Sequence, residues 1–136
     1  MSDDELERIR LEKIKNLMAQ QAMPKEIIKI QSEQQFRELL NKYKDKIIII
    51  DFWAVWCAPC LMFAPIYEKL HQEYQEEFIF TKINVDEQQR LAAYYGIRGI
   101  PTTLFIKNGN VIHKAVGAMN YDMMKNILMK LKSGDS

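Results

Sequence analysis

The chain has 136 residues, of which 48% are hydrophobic and 27% charged, which fits one globular domain with its own core. Its 19 basic and 18 acidic residues give a formal net charge of +1, so neither nucleic acid nor an anionic membrane is expected as a partner. No run of about 18 apolar residues could span a membrane, and the acidic N-terminus is not expected to be a secretory signal. Two cysteines are too few for the disulfide framework of a secreted protein, so a cytoplasmic protein with a catalytic or metal-binding pair is expected.

The first 23 residues are dense in alternating charge and are predicted to form one amphipathic helix. The helix should end near Pro24, because the residue before a proline avoids the helical conformation. Since a helix of this length is barely stable alone, we expect it to pack on its own domain, on a second copy by self-association, or on a partner. Residues 1–23 are therefore interpreted as an extension, and residues 24–136 as the main domain. The apolar face of the extension is formed by Leu6, Ile14, Leu17, Met18 and Ala22.

The main domain is predicted to begin with a short strand at residues 26–30 and a helix that reaches about Tyr43. Ser32 and Gln35 have the spacing of a capping box, so Ser32 should cap this helix. The run KIIIIDFW at residues 46–53 is apolar on both faces, which predicts a strand at the centre of a sheet covered on both sides. The inward residues of the helix are predicted to be Phe36, Leu39 and Leu40.

A second helix is predicted from Ala58 to about Tyr74, with a kink at Pro65, and it is followed by a buried strand at residues 78–85. Asp86 is then expected to cap a short helix that runs through Tyr95 and that Gly96 stops. The inward stripe of the second helix is predicted to be Phe63, Ile66, Tyr67 and Leu70.

The chain should end with a hairpin and a helix. Residues 102–107 and 111–116 alternate as strands do, and Asn108–Gly109 between them favours a tight turn. Asn120 is expected to cap the last helix. Strands that alternate with helices indicate parallel pairing, and the hairpin adds antiparallel strands, so an α/β fold with a mixed sheet is predicted. The inward residues of the last helix are predicted to be Met123, Met124, Ile127, Leu128 and Leu131.

The two cysteines, Cys57 and Cys60, directly follow the central strand and open the next helix. The N-terminus of a helix offers free N–H groups and a positive dipole end, which favour the thiolate that attacks disulfides. Pro59 suits an early helical position, where its missing N–H costs nothing. This placement indicates a reactive pair.

Metal binding and a purely structural disulfide are the two other roles open to such a pair. A zinc or iron–sulfur site needs more ligands, but there is no second cysteine pair, and His71 and His113 lie far away in the predicted fold. A purely structural disulfide would close too small a loop to stabilise the fold much. Redox chemistry is therefore favoured over metal binding and over a structural role.

Several segments resemble the thioredoxin family in order and spacing, over roughly residues 29–131. They are DFWAVWCAPC, TKINVDE, GIRGIPTTLFIKNG and VGAMN. A lone C-x-x-C would be a weak signal, but a tryptophan-flanked C-x-P-C with a downstream Ile-Pro-Thr is a strong one. The resemblance implies the thioredoxin fold, a central mixed β-sheet flanked by helices, here with an added N-terminal helix. Charged extensions of this kind are similar to those of some archaeal members.

The resemblance also implies an activity and its partners. The protein would be a protein thiol–disulfide oxidoreductase that reduces substrate protein disulfides. No cofactor is implied, because the dithiol itself carries the two electrons. The implied partners are proteins with disulfides and a thioredoxin reductase or equivalent electron donor.

Roles for individual residues follow from the resemblance. Cys57 would be the exposed nucleophile that forms a mixed disulfide, and Cys60 would be the resolving thiol. Asp51 stands among isoleucines, where burial should raise its pKa, and it would handle the proton of Cys60. Lys82 would lie near that carboxylate, and Pro101 would be the family's cis-proline.

Substrates would dock around the cysteines. Trp56, Ala58 and Pro59 would support the active-site segment. The backbone of Ile100 would let an extended substrate segment pair as an added strand. The rest of the docking surface would be formed by Val85, Gly99, Val116, Gly117 and Ala118.

Three residues depart from the family pattern, and two alternatives stay open. Ala58 replaces a common glycine, Leu61 a common lysine and Val55 a polar residue, so the site surface should be unusually apolar. One alternative is a disulfide isomerase or oxidase on the same fold, although strongly oxidising relatives usually place a histidine between the cysteines. The other is a module whose N-terminal helix docks a partner, with a secondary redox role.

Overall fold

The computed structural model describes residues 2–21 and 23–134, with side chains of the first helix described as far as Lys15. The predicted apolar positions Leu17, Met18 and Ala22 therefore lie outside the described side chains. The elements are α1 (Asp3–Gln21), β1 (Ile28–Lys29), α2 (Glu33–Lys42), β2 (Ile47–Trp53), α3 (Ala58–Tyr74), β3 (Phe78–Asn84), α4 (Gln89–Tyr94), β4 (Thr102–Lys107), β5 (Asn110–Val116) and α5 (Tyr121–Lys132).

The five strands form one mixed sheet in the order β1-β3-β2-β4-β5. Strand β3 pairs in parallel with β1 and β2, whereas β4 pairs antiparallel with β2 and with β5. The apolar run of β2 lies at the centre of the sheet, as its sequence predicts. The predicted mixed sheet is thus confirmed.

Helices cover both faces of the sheet, because successive side chains of a strand point to opposite sides. On one face Ile48, Ile50 and Phe52 pack with α2 and α4. On the other face Ile49 packs with the aromatic residues of α3 and with α5. Asp51 has the same parity as Ile49, so its side chain lies on the face that α3 covers.

Two predicted helix caps are confirmed. The Ser32 hydroxyl accepts the N–H of Gln35 at 3.0 Å, and the Asn120 side chain accepts the N–H of Met123 at 2.8 Å. The amide oxygen of Gln35 accepts the N–H of Gln31 at 2.6 Å, one residue earlier than in a strict capping box. Short polar side chains therefore fix where α2 and α5 begin.

The predicted turn between β4 and β5 is also confirmed. Asn108 and Gly109 have φ values of 53° and 77°, the left-handed conformation that a two-residue hairpin turn requires and that Asn-Gly adopts readily. The register shifts between Phe105 and Ile106, which leaves Ile112 as the extra residue of a β-bulge.

Three details of the predicted elements were wrong. The first strand has only two ladder residues, Ile28 and Lys29, instead of five. Helix α4 begins at Gln89, too far along the chain for Asp86 to cap it. Residues 84–87 form a turn instead, in which Asn84 Oδ1 accepts the N–H groups of Asp86 and Glu87. Met123 is exposed and does not face the core.

Helix α1 is present as predicted, but its described side chains are not covered. Every residue from Ser2 to Lys15 is exposed, including the two described positions of the predicted apolar face, Leu6 and Ile14. No helix in the described part of the chain combines the length and the apolar character needed to cross a membrane.

Candidate active site

The two cysteines form a disulfide at the start of α3. Cys57 is the N-cap of the helix, and its Sγ accepts the backbone N–H of Cys60 at 3.2 Å. Pro59 stands in the first turn between them, where its missing N–H leaves no bond unmade. The predicted placement of both sulfurs at a helix N-terminus is therefore observed.

The expectation of an exposed Cys57 is wrong for the disulfide form. Cys57 is 5% exposed and Cys60 2%, so the two differ little in accessibility. Trp53, Val85 and Ile100 pack against the buried cluster that the two cysteines form with Ala54.

The segment before β4 lies against the disulfide. The Ile100–Pro101 peptide bond is cis, as the resemblance implies, and the Ile100 carbonyl oxygen is 3.8 Å from Cys57 Sγ. The N–H of Gly117 donates to the Pro101 carbonyl at 2.8 Å. These contacts join the end of β5 to the cis-proline loop beside the disulfide.

The predicted docking residues differ in exposure. Val85, Ile100 and Gly117 are half-buried, whereas Trp56, Gly99, Val116 and Ala118 are exposed. Val85 and Ile100 touch the cysteine cluster. For Ala118 the structure shows only that it is exposed and follows Gly117 in the chain.

Exposed apolar residues lie next to the cysteines in the chain and at the end of β5, and we call them the apolar rim. Its members are each more than half exposed, which is unusual for large apolar side chains and suits a surface that binds another molecule. Ala58 and Pro59 between the cysteines are also exposed. The rim consists of Val55, Trp56, Leu61, Met62 and Val116.

Asp86 is a site residue that the sequence analysis missed. Its Oδ2 accepts the indole N–H of Trp56 at 2.8 Å, across 30 residues of chain. This bond fixes the orientation of an exposed ring directly before Cys57. The sequence signal for this role was the position of Asp86 directly after the predicted strand at residues 78–85, which pairs with β2, the strand that precedes the cysteines.

Asp51 is buried without a hydrogen-bond partner. It is 1% exposed, and neither carboxyl oxygen has a partner among the described residues. Burial raises its pKa from 3.8 to about 7, while the positive charge of Lys82 opposes part of this rise. A carboxyl with such a pKa can exchange a proton near neutral pH.

The strand register explains why Lys82 and Asp51 interact. Asp51 lies opposite Lys82 on β3 and opposite Thr103 on β4, so the three form a row across the sheet. Lys82 is half-buried, and its Nζ lies 5.2 Å from the centre of the Trp53 ring. Trp53 also packs against the cluster that contains both cysteines, so its ring lies between Lys82 and the disulfide in this chain of contacts.

Two further residues near Asp51 were missed. The Tyr67 hydroxyl lies 2.6 Å from the Thr81 carbonyl oxygen and 3.1 Å from that of Ile49. Burial, and then the charge of Asp51, raise the pKa of Tyr67. Thr103 Oγ1 is buried without a partner among the described residues. The residues beside Asp51 in the sequence are apolar, so nothing in the sequence indicated that Tyr67 and Thr103 lie near it.

The described residues contain no group of three or more His, Cys, Asp or Glu side chains placed to hold a metal ion. Cys57 and Cys60 are bonded to each other. The chemistry that this arrangement supports is thus the opening and closing of one disulfide.

Comparison with known proteins agrees with this disulfide chemistry. The thioredoxin family model matches residues 27–130. Thioredoxin 2 of Chlorobaculum tepidum is 46% identical over 94 residues, which cover 68% of this chain and 84% of that protein. The thioredoxin of Chlorobaculum thiosulfatiphilum is 48% identical over 80 residues, covering 59% and 74%.

Solved structures show the same fold. The thioredoxin Mala s 13 of Malassezia sympodialis superposes with a TM-score of 0.72 at 36% identity, over 79% of this chain and 91% of its own. The N21Q mutant thioredoxin from Halobacterium salinarum gives 0.70 at 32% identity, over 80% and 93%.

The fold and the disulfide define a protein thiol–disulfide oxidoreductase with a redox-active Cys57–Cys60 pair. The chain belongs to the thioredoxin family. Family membership implies, in general terms, proteins with disulfides as substrates and a reductase as electron donor.

Proposed function

We propose that Cys57 is the nucleophile and Cys60 the resolving thiol of a protein-disulfide reductase. The observation that supports this order is the position of Cys57 as N-cap of α3, with the Cys60 N–H directed at its Sγ. In the reduced protein the same N–H and the helix dipole favour a Cys57 thiolate.

The reaction exchanges one disulfide for another. The Cys57 thiolate attacks one sulfur of the substrate disulfide, the substrate S–S bond breaks, and the other substrate sulfur leaves as a thiolate. Cys60 then attacks Cys57 Sγ, which closes the Cys57–Cys60 bond and releases the second substrate thiolate. The substrate gains two electrons and the protein loses two, and a reductase restores the dithiol.

Asp51 takes the proton of Cys60 during the second step. Its carboxyl oxygens, which have no hydrogen-bond partner in the described part of the chain, and its pKa of about 7 suit proton exchange under the conditions in which Cys60 must become a thiolate. Lys82, the register neighbour of Asp51, limits the rise in its pKa.

Substrates dock on the rim and the cis-proline loop. An extended segment adds as a strand along the backbone of Ile100, with Trp56 held by Asp86 on one side. Ala58 and Pro59 stiffen the segment between the cysteines, and Pro101 shapes the loop. The remaining contacts come from Val85, Gly99, Val116, Gly117 and Ala118.

The protein acts as a reductant in the cytoplasm, where thiols are kept reduced. The Ala58–Pro59 pair lacks the histidine of strongly oxidising relatives, which supports this direction over an isomerase or oxidase. Helix α1 serves packing, self-association or partner choice and is dispensable for the redox reaction, since its described side chains form no hydrogen bond or ion pair with the main domain.

Insulin reduction with dithiothreitol as donor tests the proposed order. The wild type should reduce insulin disulfides, and Cys57→Ser should fall to the rate of dithiothreitol alone, because no thiolate remains to attack. Met123→Ala, which changes an exposed residue of α5 outside the rim and the cis-proline loop, serves as the control and should keep turnover. Turnover by the Cys57→Ser variant would show that another group attacks.

A further inference from the structure

Asp51 and Thr103 face each other across two paired strands, and neither side chain has a hydrogen-bond partner among the described residues. They are opposite residues of the antiparallel pair β2–β4, so both side chains lie on the face of the sheet that α3 covers. Asp51 is 1% and Thr103 0% exposed. Buried polar groups are nearly always hydrogen-bonded, so two such groups on opposite residues call for a common explanation.

The other buried hydroxyl groups in the described part of the chain already have acceptors. The Tyr67 hydroxyl donates to the Thr81 carbonyl at 2.6 Å. Thr81 Oγ1 donates to the Ile49 carbonyl at 2.9 Å, and Thr102 Oγ1 donates to the backbone carbonyl three residues earlier. Among the described buried hydroxyls, that of Thr103 is thus the one whose hydrogen is still available to an acceptor.

The strand geometry lets this hydroxyl reach the carboxyl group. Opposite residues of an antiparallel pair have Cβ atoms about 4.5–5.5 Å apart, and a threonine in a strand has two common χ1 rotamers. One rotation about χ1 can therefore bring Thr103 Oγ1 to the Asp51 oxygens without movement of the backbone.

The titratable groups that face Asp51 from the neighbouring elements do not supply this bond. Lys82 on β3 acts on Asp51 through its charge and makes no hydrogen bond to it. The hydroxyl of Tyr67 on α3 donates to a backbone carbonyl. A buried carboxyl can lack a partner at moderate cost while it is protonated, but the cost of a carboxylate without a donor is much larger.

We propose that the Thr103 hydroxyl donates a hydrogen bond to the Asp51 carboxylate when Asp51 loses its proton, and thereby sets the pH at which Asp51 can take the proton of Cys60. The bond itself is inferred from the sheet register and from burial. Its effect on Cys60 rests on the proposed role of Asp51 in the second thiol step. Thr103 is a positioning residue, since it acts through Asp51.

NMR titration of labelled aspartate carboxyl carbons in the disulfide form is the first test, with Asp51→Asn identifying the Asp51 signal. Thr103→Val keeps the side-chain shape but removes the donor. It should raise the pKa of Asp51 by about one pH unit or more, the effect of one hydrogen bond to a charged group. Thr103→Ala, which also lacks the hydroxyl, should give a rise in the same direction. Thr103→Ser keeps the hydroxyl and should keep the wild-type pKa.

Thr81→Val is the matched control for these titrations. It makes the same substitution at a buried threonine of a neighbouring strand, but the Thr81 hydroxyl is bonded to the Ile49 carbonyl and its side chain lies on the other face of the sheet. The pKa of Asp51 should therefore be unchanged in Thr81→Val.

The same titrations can overturn the proposal. An unchanged or lowered pKa of Asp51 in Thr103→Val would show that the hydroxyl is not its donor. A rise that Thr103→Ser shares would assign the effect to packing, and an equal rise in Thr81→Val would assign it to a general loosening of the sheet.

The pH dependence of the second thiol step separates this bond from the role of Asp51. Reduced protein, mixed rapidly with an aromatic disulfide, releases one coloured thiolate when Cys57 attacks and another when Cys60 resolves. In Thr103→Val the pH at which the second release is half-maximal should rise by the same amount as the pKa of Asp51. A raised pKa with an unchanged profile would refute Asp51 as the proton acceptor and leave its bond to Thr103 supported, whereas an unchanged pKa would refute the bond.

Discussion

The sheet around Asp51 and helix α1 hold their charges in opposite ways. In β2 a single carboxyl is 1% exposed and has no hydrogen-bond partner among the described residues. In α1 every charged side chain from Asp3 to Lys15 is exposed. One region confines a charge within a dense core, and the other displays many charges to solvent.

The comparison teaches what each arrangement can do. A buried charge without a partner is costly, so the site gives up stability for a carboxyl that changes protonation near neutral pH. Exposed charges contribute little to stability, but their pattern can select a partner and its orientation. We propose that the buried charge serves chemistry and that the exposed charges serve association.

Removing the buried charge should have the largest effect on stability. The pKa of Asp51 rises from 3.8 to about 7 on folding, which corresponds to a cost of the order of 4 kcal/mol above pH 7. Asp51→Asn should regain about 2 kcal/mol at pH 8, since the buried amide also lacks partners, and this is roughly 6 °C in Tm.

The sign of the pH dependence provides the control. Below pH 3.8 the carboxyl is protonated in both the folded and the unfolded chain, so it costs nothing. The cost grows as the pH rises from 3.8 to about 7 and is then constant. Thermal melts at pH 4 and pH 8 should show a stabilisation by Asp51→Asn that appears mainly at pH 8. An equal shift at both pH values would mean that burial does not perturb Asp51.

Removing the hydrogen bond that holds the Trp56 ring should have a smaller effect, seen in substrate reduction and not in stability. Asp86→Ala removes the carboxylate that accepts the indole N–H and should lower kcat/KM for insulin by about threefold to tenfold, the value of one hydrogen bond. Glu87→Ala is the matched control, because Glu87 is a neighbouring exposed acid whose carboxylate has no described bond to Trp56. Equal losses in both variants would indicate that charge near the site, and not the orientation of Trp56, matters.

Removal of α1 should have the smallest effect. A chain starting at Met23 keeps the packing of Met23 against the core. Its free energy of unfolding should lie within about 0.5 kcal/mol of that of the full chain, under conditions where both are monomeric. Its insulin reduction per thiol should be the same. Chemical denaturation and the insulin assay check both values, and an unfolded or inactive product would place α1 in the core and refute the boundary at residue 24.

Local sequence patterns predicted the elements whose causes are local. The apolar run of β2 placed it at the centre of the sheet, Ser32 and Asn120 fixed two helix starts, and Asn108–Gly109 fixed the hairpin. The cysteine pair was placed at a helix start because it directly follows a buried strand. In each case neighbouring residues contain the necessary information.

The misses depend on contacts between distant residues or on competing bonds. The Trp56–Asp86 bond spans 30 residues, and no local pattern records it. Asp86 looked like a helix cap, but its carboxylate accepts the indole N–H of Trp56, and α4 begins only at Gln89. The predicted length of the first strand was too great. Ile27 and Ile30 are apolar because they pack in the two cores, whereas only Ile28 and Lys29 pair with β3.

The most direct test of the central claim is the identity of the cysteine that first bonds to the substrate. The Cys60→Ser variant should be mixed with a protein disulfide, and the accumulated adduct digested and mapped by mass spectrometry. We predict a stable mixed disulfide at Cys57, because attack proceeds and resolution cannot. If Cys60→Ser formed no adduct while Cys57→Ser accumulated one at Cys60, the assigned order of the two thiols would be contradicted.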